Sequence, residues 1–152
     1  MKTVFAFLAV FGADLSSKKW AEKALPLNKK QEIVKNHLYF WHIKNSGIAY
    51  NRFSGKRKGI LLSTGAVLAF YSGLLVRILT GRGEKRLALP LAITLGGGVA
   101  NFWERLKKGR VTDFLFIRVE GKNAPIFNVA DMAIALGAIW MSVIPFLKNK
   151  KK

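Results

Sequence analysis

Two aspartates are the candidates for chemistry in this chain. Asp113 follows Arg110-Val111-Thr112, and Asp131 ends Phe127-Asn128-Val129-Ala130-Asp131, eighteen residues later in strongly apolar sequence. An ionised carboxylate in hydrocarbon is costly unless it is paired or used. Two carboxyl groups that lie close together share a proton, so one can take a proton from water while the other donates to a carbonyl oxygen. The pair therefore predicts hydrolysis of a peptide without a metal.

Other chemistries find little support in the composition. A structural ion pair with Arg105 or Arg110 is the alternative role for the two acids. The chain has no cysteine, which excludes disulfides, thiolate catalysis and cysteine metal sites. His37 and His42 lack a matching third ligand and an activated-serine motif, so we interpret both as ordinary loop or interface residues. Neither a metal nor another cofactor is expected.

Long apolar runs predict an all-α membrane protein with four helical spans, forming a single domain over residues 1–152. Hydrophobic residues make up 51% of the chain. The spans are predicted at about residues 3–25, 59–79, 87–103 and 124–147, because a helix needs roughly 20 residues to cross about 30 Å of hydrocarbon.

The first apolar run, residues 3–13, is too short to cross alone, at about 16 Å for a rise of about 1.5 Å per residue. We expect it to continue through Asp14 and Ser16-Ser17-Lys18-Lys19-Trp20, with its lysines reaching for the interface. A cleaved signal peptide is the alternative, but Phe11 stands where a cleavage site after Ala13 needs a small residue.

Two segments have β-type composition. They are Leu38–Ile43 and Asp113–Glu120, the second ended by the turn signal Gly121-Lys122-Asn123. Open strand edges cannot face lipid, so we expect the segments to pair as a small sheet on one membrane surface. Asp113 would then open a strand, and Asp131 would lie near the start of the last helix.

Gly96-Gly97-Gly98 interrupts the third predicted span. Small residues allow close packing of helices, which is the simpler interpretation. Alternatively, the missing side chains leave room for a substrate or for backbone beside Asn101.

The net charge of +18 favours anionic lipid headgroups as partners rather than nucleic acid, since the cations lie between the predicted spans. Eleven lysines and arginines lie between Lys18 and Lys58, and six lie between Arg105 and Lys122. The positive-inside rule alone would place both termini outside the cell.

The residues around the acids resemble the signature blocks of the lipoprotein signal peptidase family, also called signal peptidase II. The order and spacing match over essentially the whole chain. The blocks are Asp14-Leu15-Ser16-Ser17-Lys18, Asn45-Ser46-Gly47-Ile48-Ala49-Tyr50, Gly96-Gly97-Gly98-Val99-Ala100-Asn101-Phe102-Trp103-Glu104-Arg105, Gly109-Arg110-Val111-Thr112-Asp113-Phe114 and Phe127-Asn128-Val129-Ala130-Asp131.

The resemblance implies an aspartyl protease of the bacterial inner membrane that cuts signal peptides from diacylglyceryl-modified prolipoproteins. Asp113 and Asp131 would be its catalytic dyad. Five further positions would shape the site or hold the substrate backbone: Asp14, Asn45, Asn101, Arg105 and Asn128. The implied partners are prolipoproteins and membrane lipids, with the enzyme a monomer.

The resemblance also implies cytoplasmic termini, with the two charged loops and the active site at the outer face. This contradicts the lysine and arginine count. We follow the family placement and expect the basic outer loops to bind anionic headgroups or the precursor, through Lys29, Lys30 and Lys35 for example.

The sequence departs from the family pattern at three positions, Leu15, Ala100 and Glu104, where the family usually has glutamine, glycine and aspartate. These departures leave the two acids intact. They keep open a non-catalytic protein of the same architecture that binds prolipoproteins or anionic lipid. A channel or transport subunit with Asp131 as a proton site is disfavoured, because the Asp113 block lies outside any predicted span.

Overall fold

A computed structural model describes residues 1–48, 52–119 and 124–149 of the chain, with side chains as far as Phe146. Four long helices and a three-stranded antiparallel sheet make up the fold. The helices are α1 (Lys2–Ala24), α2 (Arg57–Leu79), α3 (Ala88–Lys108) and α4 (Val129–Asn149), with a short 3-10 turn at Lys85–Leu87 before α3. The strands are β1 (Lys30–Val34), β2 (Leu38–Asn45) and β3 (Val111–Ile117). The mainly helical fold with a small sheet is confirmed.

Helix α3 is the centre of the bundle and packs against α1, α2 and α4. Its glycines allow this close approach. A Cβ on Gly96 would lie 2.7 Å from the Phe7 carbonyl oxygen, and one on Gly97 would lie 2.5 Å from the Ala130 carbonyl oxygen. Backbone atoms cannot move aside as a flexible side chain can, so these two positions exclude larger residues. The close-packing interpretation is confirmed for Gly96 and Gly97.

Two helices of the described chain are long and apolar enough to cross a membrane: α2, and residues 129–146 of α4. The predicted extension of the first apolar run is confirmed as one continuous helix that passes Asp14 and ends at Ala24. Two helix ends differ from the predicted spans. Helix α3 continues five residues beyond residue 103, to Lys108, and α4 begins at Val129, so residues 124–128 of the last predicted span are not helical. Before α4 the chain is extended, because Phe127 pairs with Leu115 of β3.

The sheet has the order β1-β2-β3, and the predicted pairing of the two β-type segments is confirmed as β2 against β3. Ile43 lies opposite Asp113. The sequence predicted Asp113 as the first residue of its strand, but it is the third residue of β3. Strand β1 was not predicted, since all five of its residues are exposed and show no apolar alternation. The turn signal at residues 121–123 lies outside the described residues.

Aromatic packing holds the sheet against the end of α1. The Trp20 ring lies 5.0 Å from that of Phe40 on β2 and 6.2 Å from that of Phe114 on β3. Phe114 also packs against the buried Ala21 of α1 and against Leu25, which directly follows the helix. Asp113 is therefore held on a strand fixed to the helical bundle.

Helix ends meet beside this sheet. Lys108 at the end of α3 pairs with Glu22 near the end of α1 at 2.7 Å, and Arg57 at the start of α2 donates to the Leu106 carbonyl oxygen at 2.7 Å. The bridge from Phe127 to β3 brings the start of α4 to the same end. This end of the bundle collects the residues singled out in the sequence.

Candidate active site

A cavity of about 360 Å³ lies where β3, α3 and the start of α4 meet. Its lining brings together five of the seven predicted site residues: Asn45, Asn101, Arg105, Asp113 and Asp131. The remaining lining is mostly apolar and comes from Ile48, Thr64, Gly98, Val111, Pro125, Ile126, Phe127 and Ile134. Gly98 borders the cavity, but a Cβ there would lie 2.8 Å from the Leu68 side chain of α2, so its missing side chain also serves helix packing.

Asp131 is positioned by the residues that begin α4. Asn128 precedes the first residue of the helix, and its side-chain oxygen accepts the Asp131 N–H at 3.0 Å. In return, Asp131 Oδ2 accepts the Asn128 backbone N–H at 3.2 Å. This reciprocal pattern is a capping box, which satisfies N–H groups that a helix start leaves free. The same bonds that start the helix therefore fix the Asp131 carboxylate.

Asp113 on β3 is buried and accepts two hydrogen bonds. Asn128 Nδ2 donates to its Oδ1 at 2.7 Å, and Asn45 Nδ2 donates to its Oδ2 at 3.0 Å. Burial raises the pKa of Asp113 to about 7; the charge of Asp131 acts in the same direction, while the hydrogen bonds from Asn45 and Asn128 oppose the shift. This carboxyl group can hold a proton near neutral pH.

Asn128 touches both acids, since its side chain bonds to Asp113 and its backbone bonds to Asp131. Asn128 therefore caps the start of α4 and also contacts Asp113. With Asn101 Nδ2 donating to Asp131 Oδ1 at 2.8 Å, every oxygen of the two carboxyl groups accepts an N–H.

The three asparagines are each held in one amide orientation. In each case a neighbour that can only donate binds the side-chain oxygen, so the NH₂ group must face a carboxylate. The donors are the Gly47 N–H to Asn45 at 3.0 Å, the Asp131 N–H to Asn128 at 3.0 Å and the Lys18 ammonium to Asn101 at 2.7 Å. The first two donors are backbone groups, whereas the third is a side chain. The Asn101 oxygen also accepts a second side-chain donor, Asn128 Nδ2, at 3.2 Å.

Lys18 was expected to reach for the interface, and this was wrong. Its side chain is only 2% exposed and points into the bundle, where it pairs with Asp14 at 2.7 Å and with Glu104 at 3.2 Å. An ammonium group inside the protein is stable only with such partners. Two carboxylates and the Asn101 oxygen supply them.

Asp14 lies outside the cavity lining and instead supports the start of α4. Its Oδ1 accepts the backbone N–H of Ala130 at 2.8 Å, and Asp14 is fully buried. Glu104, the departure from the family pattern, accepts the Thr112 N–H at 3.1 Å and its hydroxyl at 2.8 Å. It also pairs with Lys108 at 3.2 Å. Both carboxylate oxygens of Glu104 therefore have hydrogen-bond partners.

Arg105 is buried beside the acids. Its Nη2 donates to the Gly47 carbonyl oxygen at 2.9 Å, and no atom of the described chain accepts its buried Nε–H. Within the described residues neither Asp113 nor Asp131 lies in an ion pair with Arg105 or Arg110. In the described part of the chain, the two acids therefore do not form the structural ion pair with Arg105 or Arg110 that was the alternative role.

The histidines lie away from the two acids. His42 is on β2 rather than in a loop, and it is buried with its Nδ1 3.1 Å from the Leu25 carbonyl oxygen. His37 contacts the Lys35 carbonyl oxygen in the turn before β2. Across the described part of the chain, no three His, Cys, Asp or Glu side chains are grouped as metal ligands.

Sequence reasoning missed two contributors, Lys18 as an interior residue and Thr112 as a partner of Glu104. One signal for Lys18 was present. Asp14 and Lys18 are four residues apart, so they lie on the same face of a helix and can pair there. Thr112 lies in one of the signature blocks, but no local pattern indicates its contacts, which join β3 to Glu104 of α3 and to Glu22 of α1.

Comparison with known proteins agrees with this arrangement. The family described as "Signal peptidase (SPase) II" matches residues 6–147. A lipoprotein signal peptidase of Xanthomonas axonopodis pv. citri is 33% identical over 145 residues, which cover 94% of this chain and 84% of the relative. One from Listeria welshimeri is 29% identical, with 95% and 92% of the two chains covered.

The fold has solved counterparts as well. A bacterial membrane enzyme whose structure was determined by the in meso method at 2.3 Å resolution superposes with a TM-score of 0.81 at 22% identity, covering 98% of this chain and 89% of that one. At this identity the likeness concerns the fold alone. Together with the match along nearly the whole sequence, these findings establish that the chain belongs to the signal peptidase II family.

Proposed function

We propose that this protein is an aspartyl endopeptidase that removes signal peptides from diacylglyceryl-modified prolipoproteins. Membership of the signal peptidase II family supports the reaction class. One observation carries the assignment of the residues: Asp113 and Asp131 line the same cavity, and Asn128 bonds to both.

In the proposed mechanism the two aspartates share one proton. The ionised carboxylate takes a proton from the attacking water, and the protonated partner donates to the scissile carbonyl oxygen, which gives a neutral tetrahedral diol. When the diol collapses, the C–N bond breaks and the carboxyl group that received the proton from water gives it to the leaving nitrogen. The other carboxylate takes a proton from a diol hydroxyl as the new carboxylic acid forms, which restores the dyad. A pKa of about 7 for Asp113 supports a dyad that still holds its proton near neutral pH.

Polar groups around the cavity would bind the substrate backbone. Peptide groups that leave water need new hydrogen-bond partners. The Nε–H of Arg105 has no acceptor within the described chain and is therefore the first candidate to bind a substrate carbonyl oxygen. Asn45 and Asn101 lie on the same lining.

The lipid part of the substrate would lie along apolar surfaces beside the dyad. The cavity is bordered by Thr64 of α2 and Ile134 of α4, and these are the two helices whose composition suits contact with lipid. A second cavity of about 280 Å³ adjoins it at Ile48, with Phe53 and Ile60 among its lining residues. Apolar walls of this kind suit hydrocarbon chains.

We further propose that all four helices of this single domain cross the bacterial inner membrane, with the termini cytoplasmic and the sheet on the outer face. The dyad would then lie at the end of the bundle where water is available. The many cations at that end would bind anionic headgroups or the precursor.

The test is cleavage of a diacylglyceryl-modified prolipoprotein by the purified protein in lipid-containing detergent, followed by gel shift. Wild type is compared with Asp113→Asn and Asp131→Asn, with Ser72→Ala at an exposed position of α2 as the control. Each Asn variant should lose at least about 10²- to 10⁴-fold in rate, the usual contribution of general acid-base groups. Melting curves establish that the variants are folded.

Two results would count against the proposal. If folded wild type fails to cut a precursor that a known signal peptidase II cuts in parallel, the protein is a binding member of the family. If the unlipidated precursor is cleaved as fast as the lipidated one, the proposed role of the acyl chains is wrong.

A further inference from the structure

The three buried residues Asp14, Lys18 and Glu104 form a compact charged cluster outside the cavity lining. Lys18 lies between the two carboxylates, at 2.7 Å from Asp14 and 3.2 Å from Glu104. All three are at least nine-tenths buried. Replacing such a group by apolar residues is often neutral or stabilising, so a buried ion cluster is weak evidence of a stabilising role. The contacts of this cluster indicate a different role.

Each member of the cluster bonds to a group that is next to, or in contact with, one of the aspartates. Lys18 binds the oxygen of Asn101, whose NH₂ group donates to Asp131 at 2.8 Å. Asp14 accepts the N–H of Ala130, the residue before Asp131, at 2.8 Å.

Glu104 makes the corresponding contact on the strand. It accepts the N–H of Thr112, the residue before Asp113, at 3.1 Å. One cluster thus holds the strand that carries one aspartate and the helix that carries the other.

The contact from Lys18 differs from those that hold the other two asparagines. Asn45 and Asn128 are oriented by backbone N–H groups, which only a proline substitution would remove. The Asn101 oxygen instead accepts from two side chains, the Lys18 ammonium at 2.7 Å and Asn128 Nδ2 at 3.2 Å. Without the shorter and charged of these bonds, only the bond from Asn128 holds the Asn101 oxygen, so the NH₂ group of Asn101 is directed less firmly at the Asp131 carboxylate.

We propose that Lys18 is a positioning residue for the dyad, which fixes the Asn101 amide so that it donates to Asp131, while Asp14 and Glu104 hold the ammonium group in place. This rests on the proposed function. A misplaced group at a reacting centre can cost about 10²-fold in rate, and residues that orient a functional group commonly contribute about 10- to 100-fold. Lys18 does not line the cavity, so substrate binding should be unaffected.

The test compares kcat and KM for wild type and two variants. Lys18→Met removes the donor but leaves two buried carboxylates unpaired, which destabilises the fold. The triple variant Asp14→Asn, Lys18→Met, Glu104→Gln removes that charge imbalance. Its new amides retain oxygens that can accept the Ala130 and Thr112 N–H groups and the Lys108 ammonium, so these contacts persist while the bond from Lys18 to Asn101 is lost. Lys19→Met, at the exposed neighbouring lysine, is the matched control.

The triple variant should recover the melting temperature that Lys18→Met loses, yet keep a kcat about 10- to 100-fold below wild type with KM unchanged. Lys19→Met should match wild type. If the folded triple variant recovers kcat together with stability, Lys18 serves only the fold and the proposal is wrong. The proposed function is judged separately, because it fails only if wild type does not cleave or the dyad variants still do.

Discussion

Helices α2 and α3 are nearly equal in length, at 23 and 21 residues, but they serve different purposes. Helix α3 buries eleven residues against three other helices, whereas α2 buries two. Helix α2 is apolar enough to be recognised as a candidate span, while α3 carries Asn101, Glu104 and Arg105 and is not. In this bundle the helix with the weaker membrane signal contributes more side chains to the candidate site.

The polar groups on the two helices are satisfied differently. Ser63 on α2 donates to Ile60 of its own helix. Asn101 on α3 binds Lys18 and Asp131, which are 83 and 30 residues away in the sequence. A hydrogen bond within one helix satisfies a single side chain, whereas a hydrogen bond between helices fixes one helix against another. Substitutions on α3 should therefore affect activity and folding far more than similar substitutions on α2.

The largest difference is expected between Asn101→Ala and Ser72→Ala, the second at an exposed serine of α2. Losing Asn101 removes a donor to Asp131 and an acceptor for the Lys18 ammonium, so the cleavage rate should fall about 10²- to 10³-fold, as for loss of a preorganised donor at an active site. Ser72→Ala should leave the rate near that of wild type. Steady-state cleavage of the lipidated precursor measures both. Equal rates in the two folded variants would remove the distinction between the helices.

A smaller difference is expected between Gly97→Ala and Gly73→Ala. The added methyl group on α3 would lie 2.5 Å from the Ala130 carbonyl oxygen, whereas nothing lies within 4 Å of the corresponding atom on α2. Overpacking of this kind typically costs about 1–3 kcal/mol. Gly97→Ala should lower the thermal unfolding midpoint in detergent, and Gly73→Ala should leave it unchanged or slightly raised. An unchanged midpoint for Gly97→Ala would mean that the α3–α4 contact is looser than described.

The smallest effect is expected from charges outside both helices. Lys29 and Lys35 flank the sheet and are exposed, while Lys30 lies over the Tyr39 ring at 4.1 Å and is partly a packing residue. A lysine near an anionic surface contributes about 1 kcal/mol. In nanodiscs with anionic lipid, Lys29→Gln should therefore raise KM about fivefold, and high salt should abolish the difference. The control is Lys85→Gln in the 3-10 turn before α3. A KM that stays the same at low salt would show that the outer lysines bind neither headgroups nor precursor.

Patterns of local sequence predicted much of this arrangement. Apolar runs located the helices, and β-type composition located β2 and β3. Asn128 and Asp131 belong to one signature block, and the capping box forms between these two residues. Each of these depends on residues that are close in sequence.

Long-range contacts account for what the sequence could not reveal. The start of α4 was misplaced because Phe127 pairs with β3, which apolar composition does not disclose. Lys18 was wrongly expected at the interface. Its partners Asn101 and Glu104 lie far along the chain, so no local pattern indicates that the side chain is buried. Strand β1 is exposed and has no pattern of its own.

The pH dependence of kcat/KM for the lipidated precursor tests the aspartyl dyad most directly. Burial raises the pKa of Asp113 to about 7, so its carboxyl group is protonated below that pH and loses the proton above it. Activity should therefore fall as the pH rises through about 7. A rate that keeps rising well above that pH, as a lysine acting as general base would give, would contradict the account.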